Sequence, residues 1–164
     1  MICSDIQLNT FFDKLRSLFE EVDEKYALAT NFYGFHCRGC QNNCCETLFY
    51  HHTYLEFFYL KKGFSSLPSQ VREDVLKRAG NVVHKTMDAN AKSGKMRIMC
   101  PLNVDGLCIL YEFRPMICRL HGIPSELKIS SQRASNSGKK LVSEGCETFF
   151  KKCGHKAYYP FDRT

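Results

Sequence analysis

The sequence predicts a mainly α-helical (α+β) protein, with helices around a small β-hairpin and irregular cysteine-rich loops that bind metal. Long segments repeat apolar residues at steps of three and four, which is the helical period. An Asp-Gly pair between short apolar segments is a hairpin signal. Two runs rich in cysteine and turn-forming residues interrupt the helical segments.

The first predicted element is an amphipathic helix over residues 5–27, for which Ser4, Asp5 and Asn9 are candidate N-caps. Turn composition follows over 31–46, where the first cysteines lie. The apolar stripe of the helix is predicted to pack into the core and comprises Phe11, Phe12, Leu15, Leu18, Phe19, Val22 and Tyr26.

Two more helices are predicted in the middle of the chain, after a short strand over 48–52. Thr53-Tyr54-Leu55-Glu56 is a capping box, and Gly63 is expected to end the helix that it opens. Pro68 opens a helix over about 68–92, which Gly94 ends. The predicted buried stripe of this second helix comprises Val71, Val75, Leu76, Ala79, Val82, Val83 and Met87.

The second half of the chain has weaker signals. We predict a short strand over 96–99, a hairpin turn at Asp105-Gly106 and a return strand over 108–111. Arg114-Pro115 begins a turn or short helix that carries Cys118. Residues 125–140 have the composition of an exposed, mobile loop.

Length and composition predict one cysteine-cluster domain over residues 1–164. A chain of this size buries roughly 70% of its unfolded surface, so it can form a core without cross-links. The 13 Phe and 8 Tyr residues supply that core. The ten cysteines are therefore available for chemistry.

The cellular compartment determines whether those cysteines are expected to form disulfides or to bind metal. Residues 1–5 lack the basic and apolar regions of a signal peptide, and no segment approaches the roughly 18–20 apolar residues of a membrane span. We expect a cytoplasmic protein with reduced thiols and no membrane partner. The net charge of +6 is spread over short lysine pairs and argues against a nucleic-acid binder, which would show a denser basic stripe.

The first cysteine run begins with Cys37-x-x-Cys40, a spacing that lets two thiolates hold one metal ion. A redox dithiol shares this spacing, but the further cysteines close by favour metal. Cys44 and Cys45 are adjacent, and neighbouring side chains diverge in most backbone conformations. We therefore expect one of them to complete the site and the other to serve a second site or to support the first.

The second run holds Cys100, Cys108 and Cys118. A hairpin at Asp105-Gly106 would bring Cys100 close to Cys108, and the turn at Arg114-Pro115 would fold Cys118 back toward them. Cys146 is the candidate eighth ligand, which allows two four-thiolate sites or one cluster with spare thiols. Cys3 and Cys153 are read as small core hydrophobes.

Histidine and arginine residues flank the two runs. His36 and His121 are alternative ligands, although each is more typical of a surface or hydrogen-bonded residue. Arg114 and Arg119 bracket Cys118. They either stabilise thiolate charge or bind an anion, or they form ion pairs with carboxylates.

The two runs together resemble the CxxCxxCC cysteine-cluster family (YkgJ type), which is described as zinc- or iron-chelating. Cys37-x-x-Cys40-x-x-x-Cys44-Cys45 and Cys100-Pro101-Leu102 through Cys118-Arg119 carry the resemblance, and Thr53-x-x-Glu56 fits it. The chain has three residues between Cys40 and Cys44 where the family name implies two. That departure leaves open which of Cys44 and Cys45 is the ligand.

The resemblance implies metal binding. The family includes flagellin lysine N-methylases, which are larger, but this chain has no glycine-rich S-adenosylmethionine loop. We expect a protein that binds zinc or an iron–sulfur cluster, [4Fe-4S] being one form. The alternatives are an iron–sulfur redox or methylase-like enzyme and a thiol redox sensor or metal-trafficking protein. The predicted ligands are Cys37, Cys40, Cys44, Cys45, Cys100, Cys108, Cys118 and Cys146.

Overall fold

A computed structural model describes residues 5–36, 44–47, 53–90, 97–128 and 140–162. Within these ranges the chain forms five α-helices and two small antiparallel sheets, so the predicted mainly helical fold with a small hairpin is confirmed. None of the described helices is both long enough and apolar enough to cross a membrane. The helices are α1 (Asp5–Tyr33), α2 (Tyr54–Ser65), α3 (Ser69–Asn90), α4 (Met116–Arg119) and α5 (Glu147–Cys153), and the strands are β1 (Asn103–Val104), β2 (Leu107–Cys108), β3 (Ser125–Lys128) and β4 (Lys140–Ser143).

The chain divides into two compact units. The first unit, here called the aromatic unit, comprises Met1–Cys37 and Arg119–Thr164. The second unit, here called the thiol unit, comprises Arg38–Cys118. The organisation of residues 1–164 as one domain stays a prediction.

Helix α1 confirms the predicted amphipathic helix and continues past its predicted end to Tyr33. Its buried stripe is narrower than predicted, because Phe11 and Leu18 are about half exposed. The helix stops where Gly34 adopts a positive φ of 59°, a conformation that glycine reaches without strain. The additional turns contribute Ala29 and Tyr33, which are both fully buried. Residues 28–33 contain neither glycine nor proline, so nothing in the sequence ends the helix before Gly34. The predicted end at residue 27 was therefore too early.

The core of the aromatic unit consists of edge-to-face ring contacts. Phe149 of α5 meets the ring of Tyr33 at 4.8 Å and the ring of Phe35 at 5.1 Å between centroids. Such pairs add stability beyond the apolar area that they bury. The core cluster comprises Ala29, Tyr33, Phe35, Ile123, Phe149, Cys153 and Phe161.

The predicted loop over 125–140 is wrong at both of its described ends. Strands β3 and β4 pair there in antiparallel fashion, with Ser125 opposite Ser143 and Lys128 opposite Lys140. The backbone N–H of Glu126 also donates to the carbonyl of Phe161. Polar composition hid this pairing because its backbone hydrogen bonds do not depend on apolar side chains.

Helix α2 confirms the capping box, since the Thr53 side chain and the Glu56 carboxylate satisfy each other's backbone donors. The helix runs past its predicted end at Gly63 to Ser65. Gly63 is needed for packing: a Cβ there would lie 2.3 Å from the Phe113 ring. The Phe113 ring also contacts the Tyr59 ring, with 5.0 Å between the two centroids and a tilt of 42° between the ring planes.

Helix α3 confirms the helix predicted after Pro68, but its buried stripe is narrower than predicted. Val75 is buried, whereas Leu76, Val83 and Met87 are at least half exposed. Successive residues are about 100° apart around a helix, so Leu76 and Val83 lie on the face beside that of Val75. The predicted stripe therefore combined two neighbouring faces of α3, and the face that carries Val75 is the buried one.

The hairpin at Asp105-Gly106 is confirmed. Both residues have positive φ, 50° and 85°, as a tight two-residue hairpin turn requires. The strands are shorter than predicted, because the chain enters a 3₁₀ turn at Tyr111–Phe113. Residues 97–99 form no strand, and the predicted strand over 48–52 and helix end at Gly94 lie outside the described residues.

Candidate metal centre

Four partly buried cysteines of the thiol unit form the candidate metal centre. Cys45 lies in the 3₁₀ turn Cys44–Glu46, Cys100 precedes β1, Cys108 ends β2 and Cys118 lies in α4. Their thiols lie close enough together to shift one another's pKa. Residues that are far apart in the sequence thus form one electrostatic group.

The hairpin places Cys100 beside Cys108. The backbone N–H of Asn103 donates to the carbonyl of Cys100 at 3.0 Å. Asn103 in turn stands opposite Cys108 in the pairing of β1 with β2. The turn at Asp105-Gly106 therefore fixes the two cysteine positions through one short ladder.

Two contacts attach the Cys45 segment to the Cys100 segment. The N–H of Cys100 donates to the carbonyl of Cys45 at 2.8 Å. Arg97 and Glu46 form an ion pair at 2.9 Å. The first contact joins the backbones of two candidate ligands directly, so Cys45 is held in place although it lies far from Cys100 in the sequence.

A buried carboxylate positions the segment that carries Cys118. One oxygen of Glu56 accepts from the backbone N–H of Met116 at 2.8 Å, at the start of α4. The other oxygen accepts from the N–H and hydroxyl of Thr53 at 3.2 and 3.1 Å. The capping box predicted the role of Glu56 at α2. Its second role at α4 was missed, because sequence spacing cannot show a contact between distant segments.

The thiol of Cys45 is acidic: its pKa is lowered to about 6. The largest cause is a hydrogen bond with the Cys44 thiol, which outweighs the effect of burial. The Asn103 side chain and the positive charge of Arg114 lower the pKa further. Cys45 thus interacts with the other three cysteines, and Cys44 supports Cys45.

The other three thiols have raised pKa values, mainly because they are buried. Neighbouring thiolates add repulsion, and the pKa of Cys118 reaches about 12. Burial and like charge both disfavour ionisation. These three thiols therefore keep their protons more firmly than an ordinary cysteine does, and a bound cation would favour their thiolate forms.

Two arginines face this group. Arg114 lowers the pKa of Cys45, Cys108 and Cys118, and its guanidinium stacks 3.5 Å above the Tyr111 ring. Arg78 of α3 lowers the pKa of Cys100. The predicted charge-stabilising role therefore fits Arg114, and Arg78 was missed because nothing in its local sequence marks it.

Arg119 forms an ion pair with a carboxylate, which was the second of the two roles predicted for these arginines. Its side chain is buried in the aromatic unit, paired with Asp23 and placed 4.1 Å above the Phe19 ring. Its charge is thus compensated within the aromatic unit.

Two described cysteines of the aromatic unit have structural contacts. Cys146 is the N-cap of α5, and its sulfur accepts from the N–H of Phe149 at 3.3 Å. Cys153 is buried in the core, as predicted, with its thiol directed at the carbonyl of Tyr33. The role of Cys146 as a ligand stays a prediction.

The remaining candidates divide by where they lie. Cys37 and Cys40 lie outside the described residues, as does Cys3. His36 is exposed. The carbonyl of His121 accepts from the Tyr26 hydroxyl at 2.8 Å. The role of either histidine as a ligand stays a prediction.

The donor set fits zinc or iron, since thiolates are preferred ligands of both zinc and iron–sulfur clusters. In the part of the chain that the structure describes, however, no three His, Cys, Asp or Glu side chains converge closely enough to hold one metal ion. The four thiols are thus grouped at the distance of electrostatic interaction rather than of shared coordination.

A scan against known protein families matched none, and searches of characterised proteins and of solved structures found no significant similarity. The resemblance to the CxxCxxCC family therefore stays a prediction, carried by the two cysteine motifs alone.

Proposed function

We propose that this protein binds zinc or an iron–sulfur cluster through the thiolates of its two cysteine runs. Cys45, Cys100, Cys108 and Cys118 are the proposed ligands within the described residues, and Cys44 supports Cys45. Cys37 and Cys40 are proposed ligands from the sequence alone. The protein is proposed to act in the cytoplasm, where its thiols stay reduced.

One observation carries the proposal: four cysteines from three separate segments form a group with two arginines beside it. A cysteine with only a packing role needs no other thiol near it. Grouped thiols repel one another once ionised, so a fold that brings them together gains from a cation that binds them.

The metal would have a clear structural consequence. The Cys45 turn, the hairpin and α4 are short elements, and hairpins of this size are marginally stable alone. A metal held by all three would join them through one centre. Structural zinc contributes roughly 10–16 kcal/mol of apparent binding free energy in small peptides, which is enough to determine whether such elements fold.

The deciding experiment is elemental analysis of anaerobically purified full-length protein, with sulfide analysis and an absorbance spectrum of the same sample. Near-stoichiometric zinc without visible absorbance is the outcome expected for a zinc centre. Iron with matching sulfide and visible absorbance is expected for an iron–sulfur cluster. That result would favour a redox or protein-modifying enzyme over a zinc protein.

The contrary outcome is protein without metal. A metal-free sample whose thiols oxidise reversibly would favour the thiol redox sensor instead. For zinc, a chelator separates the remaining alternatives, since a structural ion resists mild chelation and a trafficked ion does not.

A further inference from the structure

Helix α1 carries a second apolar stripe besides the one that it buries. The four apolar residues of this second stripe are between 47% and 60% exposed, and the three charged residues among them are exposed as well. The stripe is here called the outer stripe and comprises Phe11, Lys14, Leu18, Glu21, Lys25, Leu28 and Phe32.

The spacing of the outer stripe is that of a coiled-coil seam. Its members follow one another at alternating steps of three and four residues over residues 11–32, which is the heptad pattern. They lie beside the buried stripe of α1, whereas the remaining face of the helix is polar, with Asp13, Glu20 and Glu24 exposed. The outer stripe is therefore suited to a helical partner that lies along this flank of α1.

The charges on the outer stripe match one another when two copies of α1 are antiparallel. In a parallel pair each stripe residue meets its own copy, so Glu21 would face Glu21 and Lys25 would face Lys25 of the second chain. Like charges that face each other across an interface disfavour pairing. In an antiparallel pair about an axis near residue 23, Glu21 of each chain faces Lys25 of the other. One stripe thus carries both halves of the ion pair.

The same antiparallel register also matches the apolar members of the stripe. Leu18 faces Leu28 of the second copy, and Lys14 faces the ring of Phe32 of the second copy, which is a favourable pairing of a cation with an aromatic face. Because such a pair is two-fold symmetric, each contact forms twice. Sliding the helices by one heptad, which moves the axis toward the N-terminus, would instead bring Lys14 against Lys25.

We propose that the outer stripe of α1 is an interface for a second copy of this chain, with the two α1 helices antiparallel and Glu21 of each paired with Lys25 of the other. Exposed apolar patches with polar residues around them mark interaction sites, and the matching charges identify the partner as the same chain. Glu24 meets its own copy at the rim of this pairing, where charges are exposed and their interaction is weak. The interface does not depend on the proposed metal binding.

The pairing is expected to be weak and to depend on protein concentration. Charged residues in a helix seam fix the register at a cost in stability. A stable interface buries about 800 Å² on each partner, and one stripe of a single helix lies at the small end of the known range. The full-length protein should therefore exchange between monomer and dimer.

The test is sedimentation velocity of the full-length protein over a wide range of concentrations, with a reductant present so that disulfides cannot join two chains. The wild type should form a concentration-dependent dimer. Glu21→Lys and Lys25→Glu should each weaken dimerisation by about tenfold or more, because each dimer would contain two like-charge pairs. Glu20→Lys is the matched control, since it makes the same charge change on the polar face of α1, and it should match the wild type.

Mixing the two variants separates this interface from any other. Glu21→Lys and Lys25→Glu chains form two opposite-charge pairs when they combine with each other, so the equimolar mixture should dimerise about as strongly as the wild type. The double variant restores both pairs within one sequence and should also dimerise. Loss of helix cannot produce either recovery, and circular dichroism checks that each variant retains its helices.

Three outcomes would overturn the proposed interface. The first is a wild-type protein that remains a monomer at every concentration. The second is a dimer that Glu21→Lys affects no more than Glu20→Lys does, because the contact would then lie on another surface. The third is weakening by both single variants without recovery in their mixture, because that result excludes the antiparallel pairing of Glu21 with Lys25.

Discussion

The aromatic unit and the thiol unit use the same residue type in opposite ways. Cys153 and Cys146 of the aromatic unit each contact backbone groups and aromatic neighbours, as a core residue and as a helix cap. In the thiol unit, Cys45, Cys100 and Cys118 influence one another electrostatically. The neighbours of a cysteine thus decide its chemistry, and residue type alone does not.

The two units also differ in what stabilises them. The aromatic unit has interlocking rings around Tyr33 and Phe149. The described elements of the thiol unit include two-residue strands and short turns. The buried Glu56 joins α2 to the start of α4, and the Phe113 ring packs against Tyr59 of α2. A unit of the second kind has more to gain from a metal ion.

The largest expected effect separates the two classes of cysteine directly. Cys108→Ser should lose most of the bound metal, because a hydroxyl is a poor ligand for zinc or iron beside thiolates. Cys153→Ser should retain the metal and lose about 1–3 kcal/mol of stability, because it buries a hydroxyl in place of a thiol. Elemental analysis and urea unfolding measure the two effects, and equal metal loss in both variants would erase the distinction.

The next effect tests the aromatic core. Phe149→Ala should lower the free energy of unfolding by about 3–5 kcal/mol, since it leaves a cavity between Tyr33 and Phe35. Its neighbour Phe150 is 63% exposed. Phe150→Ala is therefore the matched control and should change stability by no more than about 0.5 kcal/mol. Urea unfolding that showed similar losses for both variants would contradict the ring-based core.

Two helix glycines of the thiol unit provide a comparison with opposite signs. Gly63→Ala should destabilise by about 1–3 kcal/mol, because its Cβ would overlap the Phe113 ring. A Cβ at Gly80 meets nothing within 4 Å. Gly80→Ala should therefore stabilise α3 by up to about 1 kcal/mol. Thermal unfolding of both variants measures the difference, and stabilisation by Gly63→Ala would show that Phe113 is free to move.

The contrast between these glycines shows what the sequence could predict. Local rules found α1, the capping box at Thr53 and the hairpin at Asp105-Gly106, because spacing and turn chemistry determine these features. They placed the end of α2 at Gly63, since a glycine that ends a helix and one that admits a neighbouring ring look alike in sequence. Only the tertiary contact with Phe113 separates the two cases.

In the candidate site, too, local sequence rules predicted some features, and others depend on tertiary contacts. Hairpin geometry could predict that Cys100 and Cys108 lie together. Local sequence could not show that Arg78 faces Cys100 or that Glu56 holds the start of α4, because each contact joins segments far apart in the chain. The hydrogen bond between the Cys44 and Cys45 thiols likewise depends on the 3₁₀ turn that contains both residues, and their spacing in the sequence does not predict it.

The smallest expected effect is a pH dependence within the aromatic unit. Burial, and then a hydrogen bond with Glu126, raise the pKa of Tyr158 from 10.0 to about 12. Between these pH values the folded state keeps a proton that the unfolded state releases, so stability falls as pH rises. The contribution is complete below pH 10 and is lost as pH approaches 12.

Glu126→Gln tests the cause of this shift. It keeps a hydrogen-bond acceptor near Tyr158 but removes the negative charge that opposes tyrosinate, so the pKa of Tyr158 should fall toward its ordinary value. Ultraviolet titration of tyrosinate measures this pKa, and Tyr158→Phe assigns the step by removing it. An unchanged titration in Glu126→Gln would mean that the negative charge of Glu126 does not contribute to the raised pKa. The thiol unit, where neighbouring charges shift the pKa of several cysteines, would then differ from the aromatic unit in this respect as well.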